Sequence, residues 1–498
     1  MKGTSKRVIR ARVVSARASG VLGMVIEELH TKIDRDWDSH LRETRELLKI
    51  PSVSFTGEGI EDSAEKIQEM LRKLGAKTGT FRASKGWPLV HGHLDVGANK
   101  TCLLYGMYDV QPVGNLDEWK NPPFGANIVK DKHLGEILVN RGVYNSKGSL
   151  AGTLLAIRTM VDNDSMPVNI RFLIEGEEEL GGNSLPNYVF KNKSLLSKAD
   201  AAISCDYMEN SEGVPVLALG MKGCVYFDLI ADGKYQGGPE SEIHSSDAVW
   251  VKSPVWRLIK AISTLVDDEQ VPTVDGLWDN VVGPDKDDLQ LIHVLAKRFD
   301  IDLYKKDLGV KDFKVKGTKE ELLKKYLFEP SLNICGLDAG YNGEGTKTVL
   351  PARAKAKIDI RLVPNMTIED TRKKVRGHLA KRGFTDIKIV NYIDYPLTKV
   401  SVREDVSQAS IDAMRYHGKD PEVWPMVAGS APLYLFNDVL GVPWGGVGLG
   451  HGGNAHAPNE FAVVRTMKDF EKSAITMLCL YADMDSKKPG KGKKTGRR

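Results

Sequence analysis

Apolar segments of strand length alternate with helical patterns through the first 210 residues, and this alternation is the feature that most constrains the fold. TCLLYG (101–106), VNIRFLIE (168–175) and ADAAISCD (199–206) are typical of buried parallel strands. SLAGTLLAIRTMVDN (149–163) lies between the first two and has a helical pattern, as do residues 25–49 and 62–74. The sequence therefore predicts an α/β protein with a doubly wound, mostly parallel sheet.

The pattern changes near Met221. KGCVYFDLIADG (222–233) alternates like a half-exposed antiparallel strand, and SPVWRLIKAISTLVDD (253–268) reads as an amphipathic helix. A second strand and helix follow in 355–383, whereas 267–325 is charged and irregular, as expected of an insertion or lid. We predict a smaller α+β domain at 222–395, inserted into a discontinuous domain formed by 24–221 and 396–485.

The basic residues are concentrated at the two ends of the chain. Residues 1–23 and 486–498 together hold 13 Lys and Arg and no acid, so the formal net charge of +4 leaves about −9 for the body. Such a body repels nucleic acid, and we expect no nucleic-acid partner. Residues 486–498 are predicted to be a disordered basic tail, either solubilising or in weak contact with a polyanion. Residues 1–23 are an extension before Met24 or a transit peptide.

Two further features indicate where the protein works. No run approaches the roughly 18 apolar residues that a membrane span needs, so we expect no membrane association beyond a peripheral one. The five cysteines are scattered without paired spacing, which argues against disulfides and favours a cytoplasmic location.

Four of the predicted buried segments are followed by polar clusters. These are MYD (107–109), EGEEE (175–179), CD (205–206) and NAHAPNE (454–460). In open α/β sheets the carboxyl ends of the strands carry the ligand site. Acids there cost stability unless a cation compensates them, so the clusters predict a metal site.

These segments, in this order, resemble the metallopeptidase family that includes aminoacylases, carnosinases and cytosolic nonspecific dipeptidases. The dipeptidase branch matches best, and the resemblance covers about Ile26 to Met484. The matching phrases are LLYGMYDVQP, EWKNPPF, NRGVYNSKG, EGEEELGG, PSLNICG, GTKTVLPARAKAKIDIRLVPN and NAHAPNE. The resemblance implies a zinc-exopeptidase-like catalytic domain, with the insert serving as a dimerisation or lid domain.

One phrase of this family occurs twice, as GHLDV (92–96) and GMYDV (106–110). Only the second copy follows a long apolar strand and precedes Gln-Pro, as the family's phrase does. In the first copy His91, His93 and Asp95 alternate with apolar residues, as in a half-exposed strand. We assign the site to the second copy, and a genuine ligand in the first remains the alternative.

That assignment makes the chain depart from its family at two metal ligands. The resemblance places Met107 where a histidine is expected and Asn145 where an aspartate bridges two ions. A thioether is a weak ligand for zinc, and a neutral amide offsets less charge than a carboxylate. We therefore expect one divalent ion rather than two, zinc or else manganese or cobalt.

The remaining ligands and catalytic groups follow from the resemblance. It assigns Glu179 and His456 to one ion, whose shell Asn145, Asp206 or His451 would complete, and Asp206 to the other ion, with Cys205 as an alternative alignment. Glu178 would be the general base, Asp109 would orient a ligand, and His244 would reach into the partner subunit's site of a homodimer. Substrate contacts would come from Arg361, Thr348 and Ser430, of which arginine suits a carboxylate.

Taken singly, each motif also has a purely structural explanation, and only their joint order predicts a function. We expect a cytoplasmic, homodimeric hydrolase of the metallopeptidase class, of dipeptidase or carboxypeptidase type. It would cleave an amide bond in a small substrate with a free carboxylate, such as a dipeptide or N-acyl amino acid. Two alternatives remain: a non-catalytic binding or regulatory relative without the dinuclear centre, and an amide hydrolase with a repurposed, metal-independent centre.

Overall fold

The structure is a computed structural model that describes residues 20–392 and 394–484. The predicted disordered tail and nearly all of the predicted N-terminal extension lie outside these residues. No helix of the described chain is both long enough and apolar enough to cross a membrane.

The helices and strands alternate through most of the described chain. The helices are α1 (Gly20–Lys49), α2 (Ile60–Lys73), α3 (Lys147–Asp162), α4 (Ser184–Lys191), α5 (Lys193–Leu196), α6 (Pro254–Ile262), α7 (Lys286–Arg298), α8 (Ile301–Asp307), α9 (Lys319–Phe328), α10 (Ile368–Lys381), α11 (Asp405–Tyr416) and α12 (Val464–Asp483). The strands are β1 (Lys77–Phe81), β2 (Leu89–Leu94), β3 (Thr101–Met107), β4 (Asn127–Asp131), β5 (Gly135–Val139), β6 (Asn169–Glu175), β7 (Ala201–Tyr207), β8 (Val216–Ala218), β9 (Gly220–Met221), β10 (Gly223–Asp232), β11 (Ile243–His244), β12 (Ser331–Ala339), β13 (Val349–Leu350), β14 (Arg353–Leu362), β15 (Lys388–Asn391), β16 (Thr398–Lys399), β17 (Glu422–Trp424), β18 (Trp444–Gly448), β19 (Gly452–Gly453) and β20 (Phe461–Val463).

The described residues divide into two compact units. Unit 1 comprises 20–217, 401–422 and 435–484, and unit 2 comprises 218–400 and 423–434. The predicted domains, 24–221 with 396–485 and the insert 222–395, remain predictions. Residues 423–434 are the main segment that these two divisions assign differently.

The central sheet of unit 1 has six strands in the order β1-β2-β6-β3-β7-β18. The pairs β6-β3, β3-β7 and β7-β18 are parallel, and β2 runs antiparallel to both of its neighbours. The predicted α/β class with a mostly parallel sheet is confirmed. The predicted strands at 101–106, 168–175 and 199–206 are β3, β6 and β7.

The two faces of this sheet have different neighbours, because successive side chains of a strand point to opposite sides. Cys102, Leu104, Phe172 and Ile203 belong to the main apolar core, which also contains buried side chains of α1, α2, α3, α11 and α12. Tyr105 points the other way and contacts the ring of Phe436, 5.5 Å between centroids. Helix and buried strand thus stabilise each other across one continuous core.

A second, antiparallel sheet of unit 1 has the order β19-β20-β5-β4. The short pair β19-β20 matches Gly452 with Ala462 and Gly453 with Phe461. The loop that joins these strands is NAHAPNE, so its position is fixed at both ends by strand pairing.

Unit 2 contains a four-stranded antiparallel sheet in the order β12-β14-β10-β15. Val225, Phe227 and Ile360 form its core together with apolar side chains of α6 and α10. The predicted helix at 253–268 is wrong at its end, since α6 stops at Ile262. The expectation that 267–325 is irregular is wrong as well, because α7, α8 and most of α9 lie there. Capping boxes at Asp285/Asp288 and Thr318/Glu321 start two of these helices.

Candidate active site

The carboxyl ends of three parallel strands bring the predicted site residues of unit 1 to one edge of the sheet. The register of β3 and β6 sets Met107 opposite Glu175. Asp109 follows β3, Glu178 and Glu179 lie in a 3-10 turn over Glu178–Leu180 after β6, and Asp206 is part of β7. This is the edge at which open α/β sheets bind ligands.

Asp109 holds the turn that carries both glutamates. Its carboxylate accepts hydrogen bonds from the backbone N–H of Glu178 at 3.1 Å and of Glu179 at 3.0 Å. The side chain is fully buried, and burial raises the pKa of Asp109 to about 7 in spite of these bonds. Asp109 therefore positions the Glu178–Glu179 backbone, and it belongs to the second copy of the repeated phrase.

Asn145, Glu179 and His456 form a closed triangle of side chains. The Asn145 amide nitrogen lies 2.9 Å from Glu179 Oε1 and 2.7 Å from His456 Nε2, and the latter two atoms are 3.0 Å apart. Gln111 donates to the other oxygen of Glu179 at 2.8 Å. The hydrogen bond to Glu179 raises the pKa of His456. Three of the predicted ligand residues thus meet within hydrogen-bonding distance.

The other side of the Asn145 amide is linked to Asp206 through one hydroxyl. Ser146 Oγ lies 3.0 Å from Asn145 Oδ1 and 3.2 Å from Asp206 Oδ1, and Ser204 donates to the second Asp206 oxygen. The alternative ligand Cys205 points into the main core and is 1% exposed. Asp206 is therefore the member of this pair that faces Asn145.

Glu460 fixes the backbone beneath the triangle. Its two carboxylate oxygens accept hydrogen bonds from the N–H groups of Gly142, Tyr144 and Asn145, each at 2.9 Å. Arg141 completes the arrangement with a buried ion pair of 2.8 Å. Glu460 ends the loop that carries His456, and it also binds the backbone N–H of Asn145. One side chain therefore fixes the two segments that carry Asn145 and His456.

Sequence reasoning missed three residues of this neighbourhood: Glu175, Gln111 and Glu460. Each lies inside one of the family phrases EGEEELGG, LLYGMYDVQP and NAHAPNE. Its place in that phrase could have identified it as a site residue. Glu175 is buried and accepts a 2.6 Å hydrogen bond from Tyr105, and burial raises its pKa to about 8. The site therefore holds more acid than the motifs alone indicated.

The many acidic side chains of the site change the pKa of Glu178, the predicted general base. Burial raises the pKa of Glu178 well above its ordinary value, and the negative charges of Glu175, Glu179, Asp109 and Asp206 raise it further. The charged neighbours that act most strongly on Glu178 are all negative, whereas His456 and Arg141 pair with Glu179 and Glu460. A bound cation would relieve this repulsion, which is the electrostatic behaviour of a cation site.

The possible metal donors fall into two groups of different chemistry. Glu179 and His456 provide a carboxylate and an imidazole, and turning the Asn145 amide over would offer its oxygen. The other position has Asp206 and Met107, a 7% exposed thioether that suits hard divalent ions poorly. Within 20–392 and 394–484, no three His, Cys, Asp or Glu side chains form a ready metal shell. The residues therefore offer a carboxylate and an imidazole at the triangle, and a carboxylate and a thioether at the Asp206 position.

Among the described residues, His451 and the first copy of the repeated phrase form no hydrogen bond with the side chains of the triangle. In the described chain no hydrogen bond joins His451 to Glu179 or His456, and its buried Nδ1 has no partner. His91 and His93 are half-buried residues of β2, alternating with buried Val90, Gly92 and Leu94. These positions agree with the assignment of the site to the second copy.

Unit 2 holds the remaining predicted residues in two small clusters. Arg361 donates to Ser430 Oγ at 3.0 Å and to Asp359 at 3.0 Å. His244 lies 2.9 Å from Thr348 Oγ1 and accepts from the N–H of Ser246. Thr348 thus contacts His244 and not the Arg361–Ser430 pair with which the sequence analysis grouped it.

The sheet, its acid-rich carboxyl edge and the Glu–His–Asn triangle define a hydrolase of the metallopeptidase class. The chain belongs to peptidase family M20/M25/M40, whose model matches residues 103–482. The expected relationship to the dipeptidase branch is confirmed.

Individual relatives agree with this classification. The Cys-Gly metallodipeptidase DUG1 of Candida albicans is 32% identical over 381 residues, which are 73% of this chain and 75% of that protein. The solved M20 family metallo-carboxypeptidase Sso-CP2 from Sulfolobus solfataricus is 35% identical, with a TM-score of 0.82 over 89% of this chain and 99% of that one. The solved dipeptidase Dug1p from Saccharomyces cerevisiae is 26% identical, with a TM-score of 0.76 over 92% and 99% of the two chains.

Proposed function

We propose that this protein is a hydrolase with a single divalent metal ion, cleaving the amide bond of a dipeptide or N-acyl amino acid that has a free carboxylate. The Asn145–Glu179–His456 triangle carries the proposal, because a carboxylate, an imidazole and an amide lie within 3.0 Å of one another. The names of its relatives, a metallodipeptidase and a metallo-carboxypeptidase, support the reaction class.

The ion would be held by Glu179 and His456, with the Asn145 oxygen or Asp206 as a further donor. Zinc suits a carboxylate and imidazole shell, and manganese or cobalt can replace it. When bound there, a divalent ion would polarise the scissile carbonyl and acidify a water molecule.

Glu178 would move the proton. Its carboxylate would take a proton from the attacking water, and the same proton would pass to the amine nitrogen as the carbon–nitrogen bond breaks. Burial and the negative neighbours raise the pKa of Glu178, and the charge of a bound ion would offset these neighbours so that the carboxylate can accept the proton. Asp109 would act as a positioning residue, since it holds the backbone N–H groups of Glu178 and Glu179.

The substrate's carboxylate would bind to Arg361, with Ser430 beside it. A guanidinium offers two parallel donors to a carboxylate, and Ser430 already lies 3.0 Å from it. We assign to His244 the stabilisation of the carbonyl oxygen in a second copy's site, with Thr348 holding its ring by the 2.9 Å contact.

We propose a homodimer formed through unit 2. Val249, Trp250 and Trp256 there are exposed by 88%, 81% and 65%, an unusual amount of large apolar surface for a soluble protein. Strand β12 is an edge strand of nine residues whose Leu337 is also exposed. A cytoplasmic location is proposed from the five cysteines, which are all free.

Metal content and turnover test this proposal together. Protein purified without chelators is expected to contain about one zinc, manganese or cobalt per chain, a stoichiometry that a single tetrahedral shell implies. Glu179→Ala and His456→Ala should lose it, whereas Glu136→Ala, which removes an exposed acid outside the triangle, should retain it. A panel of dipeptides and N-acyl amino acids should then be hydrolysed only by metal-loaded protein.

Other outcomes would change the assignment. Two ions per chain would mean that Met107 or Asn145 is replaced by ligands not recognised here. Absence of metal after incubation with excess ion would contradict the hydrolase and leave the binding or regulatory relative. Metal retained by both triangle variants would move the ion elsewhere.

A further inference from the structure

A row of three basic side chains crosses the edge of the central sheet in unit 1. Lys77 of β1 pairs with His93 of β2, and His93 pairs in turn with Arg171 of β6. Side chains of paired residues point to the same face, so the three lie side by side on the face opposite the main core. The proposed hydrolase site does not use any of them.

The next row along the same face makes room for a ring. Gly79, His91 and Leu173 are paired across the same three strands. A Cβ at Gly79 would lie 2.9 Å from the His91 ring, so a larger residue there would displace the imidazole. His91 stacks on Tyr188 of α4, with 4.9 Å between ring centroids and an interplanar angle of 26°.

Together these rows line a cavity of about 250 Å³ beneath α4 and α5. Its polar lining comes from Lys77, Thr78, His91, His93 and Arg171, and its apolar lining includes Leu173, Tyr188, Leu195 and Leu196. No Asp or Glu is among the lining residues. The volume is slightly below that of typical ligand sites, which indicates a small ligand.

The positive groups of this cavity are not compensated. In the described chain no hydrogen bond or ion pair involves the side chain of Lys77, His93 or Arg171, and Asp95 is the acid that acts on His93 from outside the lining. Burial lowers the pKa of His93, and the charges of Arg171 and Lys77 lower it further. Lys77 and Arg171 therefore flank the His93 imidazole as two cations, and the lining holds no acidic partner for either of them.

We propose that this cavity binds a small organic oxyanion, a phosphate or carboxylate on a planar apolar body. The oxyanion would lie against Lys77, His93 and Arg171, since guanidinium and ammonium groups bind such oxygens with charge-assisted hydrogen bonds. The planar body would pack against the half-buried His91–Tyr188 stack and the apolar side chains of α5. This site shares no residue with the metallopeptidase triangle, and its ligand need not be the substrate.

Calorimetric titration tests the proposal with phenyl phosphate, benzoate and inorganic phosphate as probes, and with benzyl alcohol as the uncharged control. Phenyl phosphate or benzoate should bind the unmodified protein, and benzyl alcohol should not. Arg171→Gln should weaken binding by at least about tenfold, equivalent to about 1.4 kcal/mol. Arg42→Gln, which removes an exposed arginine of α1, should leave it unchanged.

Lys77→Gln provides a second test if the Arg171 variant does not fold, because Lys77 is exposed and its replacement leaves the core intact. Binding that is equally tight in both variants would overturn the site. So would the absence of binding by every probe up to roughly 10 mM, where even a weak complex of millimolar Kd would be saturated. Binding of inorganic phosphate alone would overturn the role of the aromatic wall.

Discussion

Replacing Asn145 by aspartate should make the folding of this protein depend on metal. In Asn145→Asp a carboxylate oxygen would stand where the amide nitrogen lies, 2.9 Å from Glu179 Oε1. Two charges at that distance repel by about 6 kcal/mol at an effective dielectric constant of about 20. The pair can avoid this repulsion by keeping one proton.

The free energy needed to keep this proton bound determines how much the variant is destabilised. Holding a carboxyl protonated at pH 7, when its unfolded pKa is near 4, costs about 4 kcal/mol, and at pH 5 about 1.5 kcal/mol. Because the folded pKa is raised, the destabilisation is largest at high pH and disappears as the pH falls below the unfolded value. The metal-free variant should therefore be less stable than the unmodified protein by about 4 kcal/mol at pH 7.

Urea unfolding with and without zinc measures this prediction. Zinc at 100 times its Kd for the variant should restore about 2.7 kcal/mol of the lost stability. The same zinc concentration should stabilise the unmodified protein less, because a neutral amide binds the ion more weakly than a carboxylate. Asn99→Asp serves as the matched control, since Asn99 is exposed and lies outside the triangle. A metal-free Asn145→Asp protein as stable as the unmodified one at pH 7 would refute the geometry of the triangle.

Three further predictions concern other groups. Glu178→Gln should lower kcat by about 10² to 10⁴-fold while metal content stays unchanged, because it removes the base and no proposed ligand. Arg361→Lys should raise KM for a dipeptide by about tenfold with little change in kcat, since a lysine cannot grip the carboxylate with two parallel bonds. His417, whose pKa burial lowers to about 4, is neutral in the fold, so stability should fall by about 3 kcal/mol between pH 6.5 and pH 4, and His417→Gln should abolish that loss.

Each of these has a direct check. Steady-state kinetics and metal analysis separate the Glu178 effect from ligand loss, and an unchanged kcat would contradict its role as base. For Arg361, an equal loss with a substrate lacking the carboxylate would point to a structural defect. For His417, the exposed His133→Gln is the control, and an identical pH dependence in the two variants would exclude the buried imidazole as its source.

Much of the fold could be predicted because its signals are local. The periodicity of 25–49 predicts α1, and the apolar runs at 101–106 and 168–175 predict β3 and β6. The helices in 286–328 were missed because their charged surfaces hide the apolar period. The capping boxes that begin α7 and α9 were nevertheless present in the sequence.

The site could be predicted as a set of residues, although its geometry could not. The order of motifs brought Asn145, Glu179 and His456 together, but the direction in which the Asn145 amide points depends on Ser146 and on distant partners. Likewise the row Lys77–His93–Arg171 exists only through strand register, which relates residues almost a hundred positions apart. The sequence states which residue stands at each position, whereas strand register and side-chain orientation depend on contacts between distant parts of the chain.

Glu460 holds the backbone around position 145 independently of the side chain that this position carries. Its carboxylate binds the backbone N–H of residue 145 and of its neighbours, and these bonds do not depend on which side chain position 145 carries. The scaffold therefore tolerates exchange between amide and carboxylate at this point without rebuilding the loop. In evolutionary terms, the ligand at position 145 can be gained or lost without a compensating change in the loop, and the cost in stability then depends on whether a metal ion is bound.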